Sequence, residues 1–315
     1  MAKNLLGRSS TQSEYFSEWY EADVLRLRKF SDRETGFGDR SIDGEQYCLM
    51  PGLYVLTGMP AVGKSTFAWQ LLCNLAARNE TCIFVSYEMK MSQMHSKSIA
   101  RELRRRNIRD GKGITPTSQQ IQLGCYWDNP EFIAVKDKVS PRVYDEPDND
   151  IDKLVAGLRA EIAQSKLEIP PSIVIDYLQV LTTKTKKASA RERVDECVWK
   201  IKKFQKDTDT TVFLISSLGR AGYNADANDM AVFKESGGIE FTADVAWRLI
   251  GEKSEGGQPR YVVLSCVKNR FGHLYKCAFE YWAQSDYFRP CELRPEDKSD
   301  KSGSDENDKP KRKSR

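Results

Sequence analysis

Histidine is nearly absent from this chain, whose 315 residues carry only His95 and His273. The eight cysteines are scattered and form no Cys-x-x-Cys pair, so no metal-ligand spacing of Cys and His is present. Thiols placed this way read as buried, reduced side chains. No apolar run approaches the roughly 20 residues needed to cross a bilayer. The N-terminus has no apolar signal core, and Glu14, Glu18, Glu21 and Asp23 argue against a mitochondrial leader. These absences point to a cytoplasmic protein without a membrane partner. Charge of one sign is scarce too. The 49 Lys and Arg residues against 45 Asp and Glu leave a net +4, too little to imply a nucleic-acid partner without local clustering. There is no internal repeat.

What is present describes a soluble globular chain. Hydrophobic residues make up 40% and charged residues 30%, and the length suffices for a large core. Residues 1–40 are polar, but Tyr15, Phe16, Trp19 and Tyr20 crowd together ahead of Val24-Leu25-Arg26-Leu27. This reads as a short amphipathic helix on an N-terminal extension. Packing on its own core and docking on a neighbouring subunit both remain open for it.

From about residue 41 strands and helices alternate. Strand-like runs are Leu53–Leu56, Thr81–Ser86, Pro141–Tyr144, Ser172–Ile175 and Thr211–Ile215, followed by Tyr261–Val267 and Leu274–Tyr281. Helical stretches fall after Lys64, through Arg101 to Arg106, over 149–163 and over 191–206. Such alternation predicts an α/β fold, a mostly parallel sheet flanked by helices, over residues 41–292. From about Leu293 to Arg315 the chain is almost purely charged and polar, which reads as a disordered tail. Its basic end is either a solubilising tail or a nucleic-acid contact.

The chemistry begins at Gly58-Met59-Pro60-Ala61-Val62-Gly63-Lys64-Ser65, with Thr66 next. A strand precedes it and a helix follows, the context in which backbone N–H groups cradle phosphates. Lys64 is placed to reach the β/γ-phosphates and Ser65 to ligate Mg²⁺, so ATP with Mg²⁺ is the expected ligand. In open parallel sheets ligands sit at the carboxyl ends of strands. Glu88 follows the second strand and is the candidate base for the attacking water. Asp176 closes an apolar strand, the pattern of an acid that organises Mg²⁺. Ser217 ends the next strand, either sensing the γ-phosphate or simply capping. Lys268 and Arg270 stand before a glycine turn, either as ordinary surface charges or as a cationic finger for a neighbour's phosphoryl group.

Taken in order, several strings resemble the ATPase domain of DnaB-type replicative helicases. They are Gly58 to Thr66, Ser86-Tyr87-Glu88-Met89, Asp176-Tyr177-Leu178-Gln179, Lys234-Glu235-Ser236-Gly237-Gly238-Ile239-Glu240 with Ala243-Asp244-Val245, and Lys268-Asn269-Arg270. The resemblance spans roughly residues 35–282. It implies a RecA-like P-loop NTPase core, a homo-hexameric ring, translocation on single-stranded DNA driven by ATP, and a primase or loader as partner. It assigns Glu88 as catalytic glutamate, Asp176 as magnesium acid and Arg270, with Lys268 beside it, as a finger acting in trans. Lys234, Glu235 and Gly237 fall where the family grips the DNA backbone. Lys184, Lys186, Lys187, Arg191 and Arg193 follow the Asp176 strand, where a ring's channel would lie. On composition alone a solvated charge run is equally good, but placement favours DNA contact.

Three departures stand out. Ser217 replaces the family's usual Gln, Phe271-Gly272-His273 replaces Asn-Gly-Pro, and residues 1–40 leave no room for the family's N-terminal helical domain. A lone motor of this kind resembles phage, plasmid or mobile-element versions. Two alternatives carry over: a filament-forming recombination ATPase, and a helicase-loading ATPase without unwinding of its own. No Phe-x-x-Ala polymerisation string is present, which counts against the first.

Overall fold

The structure, a computed structural model, describes residues 10–38, 42, 49–138, 140–165, 167–184, 189–217, 237–252 and 258–298. The first helix, α1 (Tyr20–Arg28), is entered through a helical turn at Gln12–Glu14 capped by Thr11 and a π-helical turn at Tyr15–Trp19. None of these residues is buried, and Phe16, Tyr20 and Leu25 face outward. An Arg26–Asp209 ion pair of 2.6 Å ties the helix to the body.

Phe30, Arg33 and Phe37 that follow are all buried. This corrects the expected boundary near residue 40. The Arg33 guanidinium donates to Glu80 Oε2, to Thr211 Oγ1 at 2.8 Å, to Ser172 Oγ at 2.6 Å and to the Leu49 carbonyl. One buried cation therefore staples the starts of two central strands. A polar stretch read as an extension is structural because its charge is spent inside.

The body follows the expected alternation. Strand β1 (Gly52–Gly58) leads into α2 (Lys64–Ala76), then β2 (Cys82–Ser86) and α3 (Met91–Asp110). Two short helices, α4 (Ser118–Gln122) and α5 (Pro130–Lys136), precede β3 (Arg142–Asp145) and α6 (Ile151–Ser165). Next come β4 (Ser172–Asp176), α7 (Ala190–Thr208), β5 (Thr211–Ser217) and α8 (Gly237–Thr242). The chain ends in β6 (Val245–Gly251), β7 (Arg260–Asn269), β8 (Lys276–Trp282), β9 (Tyr287–Cys291) and α9 (Pro295–Lys298).

All nine strands form one sheet in the order β3-β2-β4-β5-β1-β6-β7-β8-β9. Pairing is parallel from β3 through β6 and antiparallel from β6 to β9. The central strands are buried on both faces, which is why they read as unbroken apolar runs. Along β1, Tyr54 and Leu56 pack beneath α2 with Phe67, Leu71 and Phe213. Leu53 and Val55 point the other way, against Leu158, Ile201 and Phe204 of α6 and α7. A satellite cluster of Ala100, Leu103, Ile121 and Val135 joins α3, α4 and α5.

Several expectations need amendment. Strands β6 and β9 and helices α4 and α5 were not foreseen. The tail expected from residue 293 is ordered as far as Lys298: Tyr261 donates to Asp297 at 2.9 Å, and Arg294 pairs with Glu252 at 2.6 Å. Of the seven described cysteines five are buried, but Cys125 is exposed. Lys186, Lys187, Lys234, Glu235 and residues 299–315 lie outside the described residues. Among the described residues no helix is long and apolar enough to cross a membrane.

Candidate nucleotide-binding site

The loop between β1 and α2 forms one wall of a cleft of about 500 Å³ at the carboxyl end of the parallel strands. Both of its glycines are required by geometry. A Cβ at Gly58 would stand 2.5 Å from the Leu249 carbonyl oxygen of the adjacent strand. Gly63 has φ +102°, and a Cβ there would meet the Phe288 and Tyr281 rings at 3.0 and 3.1 Å. The loop thus closes down between β6 and an aromatic pair, leaving its N–H groups and the first turn of α2 toward the cleft.

Lys64 folds back and donates to the carbonyls of Gly58 at 2.9 Å and Met59 at 3.0 Å. Burial lowers its pKa, while the Asp176 and Glu88 carboxylates pull it back up. The cleft is lined by Lys64, Ser65, Glu88 and Asp176, brought together from α2, β2 and β4. Ser217 reaches its rim as well.

Asp176 is the most perturbed acid here. Only 1% of its surface is exposed, and its Oδ2 is buried without a hydrogen-bond partner. Burial pushes its pKa up to about 6, Ser65 and Lys64 lower it, and Glu88 raises it further. A carboxylate oxygen shut away unpaired beside a serine hydroxyl is an incomplete arrangement. A hard cation would complete it, since carboxylate and hydroxyl oxygens are its preferred donors.

Several contacting residues had no signature in the sequence. Arg260 donates to the Ala61 carbonyl at 3.1 Å, bracing the loop from β7. Thr66, one residue past the loop, contacts Asp286, which is 4% exposed and paired with Lys97 of α3. Gln70 clamps Phe288 through both backbone groups, at 2.8 and 2.9 Å. The Gln179 amide donates to Ser216 Oγ at 2.8 Å and accepts from the Ser217 N–H at 3.3 Å, linking the exits of β4 and β5. Gln179 was visible as part of a family string, and the others join positions as far as 220 residues apart.

Lys268 and Arg270 are not in the cleft. Arg270 bonds the Phe241 carbonyl at 2.8 Å and Asp244 Oδ1 at 3.2 Å, and Lys268 reaches the same Phe241 carbonyl at 3.4 Å. Asp244 is itself fixed to Leu53 at the start of β1. Gly58, where the phosphate loop starts, is five residues up the strand, about 17 Å away at strand rise. Arg270 therefore serves the opposite end of the sheet in its own chain. Lys184 lies near the exit of β4, partly paired with Asp152 at 3.5 Å and largely exposed, and Arg191 begins α7.

This fold and cleft define a RecA-like P-loop nucleotide-binding protein. The particular family follows from comparison. Residues 34–290 match the DnaB-like helicase C terminal domain, and the chain belongs to that family. Replicative DNA helicase DnaB of Leifsonia xyli subsp. xyli (strain CTCB07) is 27% identical over 236 residues, covering 72% of this chain and 48% of that protein. The chain spans about half the length of the curated relatives it matches. A solved ATPase domain superposes with a TM-score of 0.73 at 16% identity, covering 90% of this chain and 100% of that one. A DnaB-like replicative helicase, solved in a study of its interactions with primase, gives 0.69 at 17% identity over 90% of this chain and 68% of that one.

Proposed function

We propose that this chain is the ATP-driven motor of a ring-forming DNA helicase that moves along single-stranded DNA in the cytoplasm. One observation carries the proposal: the phosphate loop, Glu88 and Asp176 converge on one cleft, while Arg270 stands at the far end of β1. A site assembled that way is finished only by a second copy. Closed rings supply such a copy to every cleft, and a hexamer is the expected form.

In this reading the N–H groups of 59–65 and the Lys64 ammonium hold the triphosphate. Ser65 and Asp176 would hold magnesium, which when bound would supply neutralising charge to the phosphate oxygens. Glu88, exposed at the rim, orients the water that attacks the γ-phosphorus and takes its proton. Arg270 of an adjacent copy, with Lys268 beside it, steadies charge on the transferred group. Ser217, bonded to Gln179 at the rim of the cleft, precedes in sequence the segment that contains Lys234, Glu235 and Gly237, the proposed DNA grip. Lys184, Lys186, Lys187 and Arg191 add phosphate contacts that ignore base sequence. A primase or loader is the expected protein partner, and the turn before α1 with the start of α1, where Phe16, Trp19 and Tyr20 are exposed, is the segment offered to a neighbouring subunit.

The test is unwinding of a forked duplex by the purified chain with ATP. Unwinding that disappears in Glu88→Gln while nucleotide binding persists supports the proposal. A wild-type chain that hydrolyses ATP on single-stranded DNA but separates no duplex would point to a loader instead.

A further inference from the structure

We propose that a second cavity, behind the phosphate loop's helix, binds a small phosphate-bearing anion and reports its presence to the nucleotide cleft. The cavity measures about 520 Å³, within the range of small-molecule sites. It lies between α2, α3, the end of α5 with the segment after it, β9 and the segment at Gly36 and Phe37. None of the residues assigned to nucleotide chemistry lines it.

Its charge is one-sided. Arg101, Arg105, Lys136 and Lys138 line it against a single carboxylate, Glu102. That carboxylate is already engaged by Lys138, by Arg106 at 3.5 Å and by Arg105 at 3.8 Å. Among the described residues Lys136 pairs with the exposed Asp137, at 3.9 Å. His95 is also on the wall, where burial lowers its pKa and so disfavours its charged form. Arg101 is the informative residue: its Nη1 is buried and has no hydrogen-bond partner. A guanidinium N–H removed from water and from protein acceptors is rare in native structures and marks a missing acceptor. The planar fork of arginine matches phosphate oxygens, and surrounding lysines add charge without demanding geometry.

The position gives occupancy a consequence. Gln70, Cys73 and Asn74 on the cavity floor are later turns of the helix that begins at Lys64. Phe288 in the wall stacks on Tyr281 at 4.1 Å with 7° between planes, and Tyr281 lines the nucleotide cleft. An anion drawing Arg101 inward would act on α2, α3 and β9 together, all of which touch the phosphate loop or its helix.

The test uses the full chain carrying Lys64→Ala, which disables the first phosphate site. Inorganic phosphate, pyrophosphate and ADP are titrated separately by calorimetry at low salt. One equivalent of at least one probe should bind, and the preferred probe distinguishes free phosphate from a nucleotide. Arg101→Gln in the same background should weaken binding about ten- to a hundredfold, the loss of a charge-assisted contact. Arg101→Lys should retain part of it, and Arg109→Gln, on the exposed end of the same helix, should leave it unmoved. Absence of binding by all three probes overturns the proposal, as does unchanged affinity in Arg101→Gln with a native melting curve. Binding only of an acidic peptide or an oligonucleotide also overturns it. Failure here leaves ATP binding by the wild-type chain, sensitive to Lys64→Ala, untouched, so the two readings fail separately.

Discussion

The two ends of the parallel strands treat polar groups in opposite ways. At the amino end Arg33 and Asp244 are buried and saturated: Arg33 donates to four different residues, and Asp244 accepts from Leu53, Lys202 and Arg270. At the carboxyl end Asp176 is just as buried yet keeps one oxygen unpartnered, and Lys64 is turned back onto the carbonyls of its own loop. Saturation fixes a fold, whereas an unmet hydrogen-bonding demand reserves a place for a ligand. The same sheet is fastened at one end and left chemically open at the other.

Substitutions should separate the two ends by readout. Arg270→Ala should lower ATP turnover by about 10³-fold or more, the worth of a finger, in a steady-state assay with single-stranded DNA. Glu88→Gln should lower turnover about 10²- to 10⁴-fold with nucleotide affinity intact, since only the proton acceptor is lost. Normal hydrolysis in that variant would remove Glu88 from the mechanism. Arg33→Ala belongs to the fastened end and should cost about 3–5 kcal/mol in chemical denaturation, because it leaves a largely buried carboxylate and two buried hydroxyls without their cation. An unchanged denaturation midpoint would erase the proposed distinction.

Asp176 gives the sharpest contrast. Its folded pKa of about 6 lies above the ordinary aspartate value of 3.8, so the ionised form opposes folding. That penalty is absent below the unfolded value and grows as pH rises through the folded one. Asp176→Asn should therefore stabilise the nucleotide-free chain by roughly 3 kcal/mol at pH 7.5, with the gain fading toward pH 4. A destabilised variant at neutral pH would show that the carboxylate is satisfied after all. The smallest effect concerns DNA. Lys186→Ala with Lys187→Ala should flatten the salt dependence of single-strand binding by about 1.4 log units per log unit of salt. An unaltered slope would exclude both lysines from phosphate contact.

Legibility in the sequence followed local burial. Strands β1, β2, β4 and β5 were plain because both faces are covered and, Asp176 at the end of β4 apart, their residues are apolar, aromatic or small. Strand β6 was hidden by Arg248, which is only 5% exposed yet breaks the apolar run, and β9 by Pro290 on an edge strand. Within the cleft Lys64, Ser65, Glu88 and Asp176 were readable because each follows a strand or opens a helix. Arg260, Lys97 and Asp286 were not, since their partners lie across the fold and no spacing announces them. Arg33 shows the converse failure. In a polar stretch a buried, fully bonded arginine looks like any surface charge.

The central claim is that catalysis needs residues from two copies, and a mixing experiment addresses it directly. Lys64→Ala and Arg270→Ala chains, each inactive alone, are combined in equal amounts under conditions that exchange subunits. Sites pairing an intact Lys64 with a neighbour's intact Arg270 then form at random, and about a quarter of wild-type ATP turnover should return. Continued inactivity of mixtures shown to contain both chains would contradict the account.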